Sequence, residues 1–365
     1  MNEKPIFVTQ SSLPPIEDFI KTLGTIWDTH ILTNMGKYHQ RLEKELLKFL
    51  NISNISLMVN GHMALEMALQ SMEFPQGSEI ITTPFTFVST THAIVRCGFK
   101  PVFCDIKLKD FTINENIIEP LITNKTVAIL PVHTYGNICN YEEIDKIASK
   151  YKLKVIYDAA HSFAETVNGI PVESLGDMSV LSFHATKVFN TIEGGAVCFK
   201  DKKTYSKLYN LKNFGIQTEE IVSAIGANGK MNEFCAAMGL CNLNYLQAEI
   251  DSRKMITLYY DEILSHRRNI LIRERNSEIE YNYGYYPVLF SSKKHRDDVY
   301  IRLKENSIFA RKYFYPITAD HQCFNGSFNN INLPNARLAS DCILTLPIYP
   351  KLSINEIERI CDLIW

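Results

Sequence analysis

No run of about 18 apolar residues occurs in the chain, so no membrane-spanning helix is expected. The first residues, Met1-Asn2-Glu3-Lys4-Pro5, lack the apolar core of a signal peptide, and the expected compartment is the cytoplasm. An excess of one charge sign is also missing. Lys plus Arg number 38 and Asp plus Glu 40, a formal net charge of -2, which argues against a nucleic-acid platform. Nine cysteines are scattered, and none forms a C-x-x-C pair. Neither a disulfide framework nor a zinc site is expected, no metal ligands are assigned, and most thiols should be small core residues. There is no internal repeat and no linker rich in Gly, Pro or Ser. A G-x-x-x-x-G-K-[ST] loop and a G-x-G-x-x-G fingerprint are both absent, so a nicotinamide oxidoreductase lacks its signature.

What is present is an ordinary globular composition over 365 residues, enough for two domains at about 150 residues each. Apolar runs predict strands at Ile55–Val59, Glu79–Thr82, Lys100–Cys104, Thr126–Val132, Leu153–Tyr157, Met178–Phe183 and Gly195–Phe199. Helical patterns fall between several of them, at His62–Met72, Phe87–Cys97, Asn140–Tyr151 and Thr204–Leu211. This alternation predicts an α/β fold with a mostly parallel sheet covered on both faces. Residues 230–265 read as one long helical region, and Tyr38–Leu50 as an amphipathic helix. Later, short strands ("YGYYPVLF", "CILTLPIY") alternate with helices ("HRDDVYIRLKEN", "INEIERICDLIW"). The expected division is a large domain over residues 1–250, with an N-terminal helical segment, and a smaller α+β domain over 251–365.

Ligands of such sheets bind beyond the carboxyl ends of the strands. Five segments place chemistry there. Gly61-His62 opens a helix after a strand, a natural anion site, or else an ordinary turn. Asp158 ends an apolar strand, where it could pair with a buried ring nitrogen or simply cap the next helix. His161 follows three residues on. Lys187 lies in a loop with Ser182 and Thr186 before it and Gly194-Gly195 after it. Held among Phe183, Val188, Phe189 and Ile192, its amine suits attack on a carbonyl; the alternative is a solvated lysine. Phe87 could stack on a planar ring or pack in the core. Asn228 sits between glycines and could be a turn residue only. Together, a phosphate cup, a stacking aromatic, a carboxylate and a lysine form the parts list of a pyridoxal-phosphate site.

These segments, with "LTNMGKYHQRLEKEL", "GSEIITTPFTFVSTTHAI", "PVFCDI", "TVAILPVHTYGN", "VIYDAAHS", "SFHATK", "EGGAV", "NGKMNEFCAAMGL" and "LPIYPKLSINEIERI", resemble the DegT/DnrJ/EryC/StrS sugar aminotransferases over nearly the whole chain. The resemblance implies a fold-type I architecture, with a mostly parallel seven-stranded sheet and a smaller C-terminal domain. It implies pyridoxal 5'-phosphate as cofactor, with pyridoxamine phosphate as its aminated form. It implies that Lys187 forms the Schiff base and Asp158 bonds the pyridine nitrogen. His161 would lie near the ring hydroxyl, Phe87 would stack, and Gly61, His62 and Ser182 would hold the phosphate. His62 replaces the family's usual Thr. Asn228 would reach the phosphate of a neighbouring subunit, implying a homodimer with a shared active site. Arg311, Tyr313, Tyr315 and His321 occupy a loop near the sugar in the family.

The wording "SFHATKVFNTIEGGAV" is similar to the branch that aminates C4 of a nucleotide-linked 4-keto-6-deoxyhexose; C3 enzymes carry "SF-Y/F-P-x-K-N-L-G-A". The expected reaction takes the amino group of L-glutamate to dTDP-4-dehydro-6-deoxy-D-glucose. The product, dTDP-4-amino-4,6-dideoxy-D-glucose, would serve surface polysaccharide such as O-antigen. A C3 or other C4 aminotransferase is the nearest alternative, and a non-catalytic cofactor-binding regulator a further one. A related dehydratase is disfavoured because Lys187 is not replaced by His. Neither nucleic acid nor membrane is an expected partner.

Overall fold

The computed structural model describes residues 4–328 and 331–365. Seven strands make the main sheet: β1 (Ile55–Met58), β2 (Glu79–Thr82), β3 (Lys100–Phe103), β4 (Thr126–Leu130), β5 (Lys154–Asp158), β6 (Met178–Ser182) and β7 (Gly195–Phe199). Their spatial order is β1-β7-β6-β5-β4-β2-β3. All run parallel except β7, which is antiparallel to both its neighbours, β1 and β6. The seven-stranded, mostly parallel sheet is therefore as expected, with ends moved by a residue or two.

The strands are apolar on both faces because helices cover both. One face offers Leu57, Ile129, Val155, Tyr157 and Leu181 to α2 (Lys37–Phe49), α5 (Tyr141–Tyr151) and α7 (Glu233–Leu243). The other offers Met58, Ile80, Ala128, Ile156 and Val180 to α3 (Gly61–Ser71), α4 (Val88–Arg96) and α6 (Thr204–Lys212). Side chains alternate between these two cores along each strand, as the period of two requires. The sequence pattern left α1 (Ile16–Thr29) unread; Ile26 is its one buried residue.

The helical region 230–265 is two helices, not one. α7 ends at Leu243, and α8 (Leu246–Leu264) begins after a break at Asn244-Tyr245. Asn is a weak helix former that suits helix ends, which explains the break. The expected boundary at 250/251 lies inside α8. Beyond it, Ile270–Ile272, Tyr286–Phe290 and Ile343–Leu346 form an antiparallel sheet with its own core, including Val288, Val299, Leu344 and Ile357. Ile6 joins that core, because Ile6–Phe7 pairs in parallel with Ile308–Phe309. No helix among the described residues is long and apolar enough to cross a membrane.

Candidate functional site

The carboxyl ends of β1, β5 and β6 converge on one cavity of about 390 Å³. Gly61, His62, Phe87, Asp158, His161, Ser182, Lys187, Arg311 and Tyr313 all line it. Sheet register explains the convergence. Gly195 of β7 stands opposite both Met58 of β1 and Ser182 of β6. Asp158 stands beside Val180 one strand further on.

The β1 end is built for close approach. A Cβ on Gly61 would lie 2.8 Å from the Cβ of Ser182, and one on Gly195 would lie 2.6 Å from the backbone nitrogen of Gly61. Both positions therefore require glycine. Asn60 caps α3 through its side-chain oxygen, which accepts from the Met63 N–H at 2.8 Å. Helix geometry then leaves the N–H groups of Gly61 and His62 without an intrahelical acceptor, the arrangement that holds phosphate. The His62 ring is already engaged. Its Nδ1 meets Ser89 Oγ at 2.8 Å and its Nε2 meets Glu66 Oε1 at 3.0 Å.

Asp158 is buried at the β5 end. Its Oδ2 accepts from Thr90 Oγ1 at 2.7 Å and its Oδ1 from the Ala160 N–H at 3.2 Å. Burial pushes its carboxyl above the usual carboxylate range, against those two hydrogen bonds and the charge of Lys187. A buried carboxylate in this state gains from a cation placed beside it, which is what a protonated pyridine nitrogen provides. His161 is also buried, and burial holds its imidazole well below the ordinary histidine range. Its Nδ1 accepts the Tyr135 N–H at 3.0 Å, so the neutral ring carries its proton on Nε2. Lys187 is half-buried in the β6–β7 loop. Its Nζ donates to the Tyr285 hydroxyl at 2.9 Å.

Phe87 precedes α4 and is 53% exposed, so its ring is free to cover a ligand rather than fill the core. Arg311 and Tyr313 lie together on the rim, the guanidinium donating to the phenol oxygen. A second cavity of about 460 Å³ adjoins the first, sharing Thr186, Tyr285, Arg311 and Tyr313 with it.

Three expected residues lie outside this cavity. Tyr315 turns away, its ring under Lys293 and Arg296. His321 meets His92 and Cys323 instead. Asn228 is exposed on the loop before α7, bridged to Asn213. Conversely, Tyr285 and Thr90 touch Lys187 and Asp158, and the sequence pattern did not single them out. Tyr285 reads there as part of a strand, and Thr90 as one helical position among several. Only the fold brings them in.

Comparison with known proteins follows the same line. The profile of the DegT/DnrJ/EryC1/StrS aminotransferases matches residues 15–365. A dTDP-4-amino-4,6-dideoxy-D-glucose transaminase of Shigella dysenteriae is 44% identical over 364 residues, 99% of each chain. One of the same name from Escherichia coli is 42% identical over 100% of this chain and 99% of its own. The solved structure of DesI with its TDP-sugar product superposes with a TM-score of 0.92 at 28% identity, over 99% of this chain and 92% of that one. The lysine, the buried carboxylate and the glycine-lined cup fit pyridoxal phosphate, the cofactor of these enzymes. The chain belongs to the DegT/DnrJ/EryC1/StrS aminotransferase family and is a sugar aminotransferase dependent on pyridoxal phosphate.

Proposed function

We propose that the chain transfers the amino group of L-glutamate to C4 of dTDP-4-dehydro-6-deoxy-D-glucose, forming dTDP-4-amino-4,6-dideoxy-D-glucose. The reading rests on one observation above others: the full-length likeness to two transaminases of that name, with Lys187 and Asp158 facing one cavity. The adjoining cavity gives the nucleotide-sugar room beside the reacting amine. Supply of surface polysaccharide such as O-antigen, from the cytoplasm, completes the proposal.

Bound pyridoxal phosphate supplies an electron sink for charge that develops at the carbon bearing the amino group. The residues of this chain do the rest. Asp158 holds a proton on the ring nitrogen, oriented in advance by Thr90 and Ala160. Lys187 Nζ carries the proton to and from the reacting carbon as general base and acid. Tyr285 fixes where that amine rests. The N–H groups of Gly61 and His62, with the Ser182 hydroxyl, hold the phosphate. His161 offers Nε2–H to the ring hydroxyl, and Phe87 covers the ring. Arg311 and Tyr313 contact the sugar nucleotide.

The site is completed by a second copy of the chain. Ile16, Ile20 and Trp27 on α1, and Ile221, Val222 and Ile225 before Asn228, are apolar yet exposed, Ile225 by 97%. A homodimer would cover such patches and bring Asn228 to the partner's phosphate. Within each chain we further propose the two domains expected from the sequence, 1–250 and 251–365, joined through α8.

The test is direct. Purified protein with pyridoxal phosphate, L-glutamate and dTDP-4-keto-6-deoxyglucose should release one 2-oxoglutarate per amino sugar, with the amine at C4 by NMR. Lys187→Ala should abolish turnover. Amination at another carbon, or of a different nucleotide-sugar alone, would overturn the substrate; turnover by Lys187→Ala would overturn the site.

A further inference from the structure

The sequence pattern assigns no metal ligands, because its cysteines are scattered and none forms a C-x-x-C pair. The fold brings two histidines and one cysteine together. His92 lies on α4, and His321 and Cys323 lie on the segment after the short helical turn Thr318–Asp320. One imidazole nitrogen from each histidine and the Cys323 sulfur all lie within 4.8 Å of one another. Cys323 Sγ stands 3.7 Å from His92 Nε2. The geometry points to a binding site for a borderline divalent cation of the zinc type, held by His92, His321 and Cys323 outside the cofactor cavity.

Three observations support this. First, the distances suit the ion. With bonds of about 2.0 Å to nitrogen and about 2.3 Å to sulfur, a tetrahedral centre spaces its ligand atoms on the order of 3.5 Å apart. The Cys323–His92 pair already has that spacing, and no pair needs to close by more than about 1.3 Å, within reach of side-chain rotation. Second, the donor set is selective. Two imidazoles and a thiolate favour zinc or cobalt over magnesium or calcium, which take oxygen ligands. Eight of the nine cysteines are buried, and Cys323 alone is exposed, so its thiol is accessible and a fourth position stays open to water. Third, the backbone is fixed in advance. Thr91 Oγ1 donates to Thr318 Oγ1 at 2.9 Å, and the Thr318 N–H donates to the Pro84 carbonyl at 2.9 Å. Those bonds hold Thr318 against α4, one residue from His92, and against the loop after β2. The ion would clamp the segment of His321 and Cys323 to α4, which borders the cofactor cavity through its N-cap Phe87 and through Ser89.

The experiment uses tag-free holoenzyme, stripped of metal by chelation and titrated with cobalt chloride. About one cobalt per chain should bind, with tetrahedral d–d bands and a sulfur-to-cobalt charge-transfer band, and zinc should displace it. Cys323→Ser should remove the charge-transfer band. His92→Ala and His321→Ala should each weaken binding by about tenfold or more. The absorption of the lysine-bound cofactor reports that each variant is folded. Cys323→Ser changes one exposed atom and keeps the test valid if a histidine variant does not fold. No charge-transfer band in the unaltered protein, or one that survives Cys323→Ser, would overturn the assignment.

Discussion

Gly61→Ala places one methyl group where the structure has no room for it. The new Cβ would stand 2.8 Å from the Cβ of Ser182, 3.1 Å from its hydroxyl and 3.2 Å from its Cα. The obstacle is strand backbone as much as side chain. Ser182 is held opposite Gly195, and Gly195 opposite Met58, so the neighbour cannot retreat without disturbing three strands. Overpacking of this kind costs about 1–3 kcal/mol. If the strain falls on the first turn of α3, phosphate binding weakens by about 5-fold to 140-fold, at 1.4 kcal/mol per tenfold. The assay is titration of the apoenzyme with pyridoxal phosphate, followed by the visible band of the bound cofactor. Pyridoxal, which lacks the phosphate, is the control. Affinity for the phosphate ester should fall and affinity for pyridoxal should hold. Unchanged affinity for both would refute the placement of the cup. Equal loss for both would show that the damage is general and that the argument from local contact is wrong.

Three further expectations can be checked independently. Tyr285→Phe removes the hydrogen bond at Lys187 Nζ and should lower kcat by about tenfold, the worth of one charge-assisted bond, with little change in KM. Glu173 is buried with one carboxylate oxygen unpartnered, and burial pushes its carboxyl from 4.5 to about 7. The unfolded chain therefore holds fewer protons than the folded one across that window, and stability falls as pH rises from about 4.5 to about 7, by about 3 kcal/mol. Glu173→Gln should flatten that fall in denaturant titrations and be the more stable protein at about pH 8. Mixing inactive Lys187→Ala with Asn228→Asp subunits should restore activity if the site is shared. Hybrid dimers with no activity would count against sharing.

The main sheet was legible because buried parallel strands are nearly continuous apolar runs, and each turn residue marks where one ends. Asp158 and Gly61 were legible for the same reason, as polar or small residues directly after such runs. Lys187 was legible from its apolar neighbours. Other features had no local signature. The α1 stretch mixes Gly24 and β-branched residues with exposed Ile16 and Ile20, so its pattern does not point to a core. Tyr285 is 98 residues from Lys187 along the chain, and no spacing announces their contact. The trio His92, His321 and Cys323 was invisible because His92 lies 231 residues from Cys323 along the chain. Tyr315 and His321 were grouped with Arg311 and Tyr313 because their segment occupies the place of a loop near the sugar in the family. The turn at Phe314–Ile317 sends them to different surfaces, because Phe314 and Ile317 are the buried pair there.

The antiparallel strand β7 carries a consequence for biosynthesis. It is wedged between β1 and β6, so the wall shared by Gly61, Ser182 and Gly195 joins an early segment of the chain to two that leave the ribosome much later. β1 emerges early and has no partner in the main sheet until β7 arrives. Until then its edge is unpaired, and the phosphate cup lacks one side. Pairing between distant segments is also slow. Cofactor capture must therefore come late in synthesis, after residue 199 is free to fold back. A nascent chain stalled before that point exposes a sticky strand instead of a binding site.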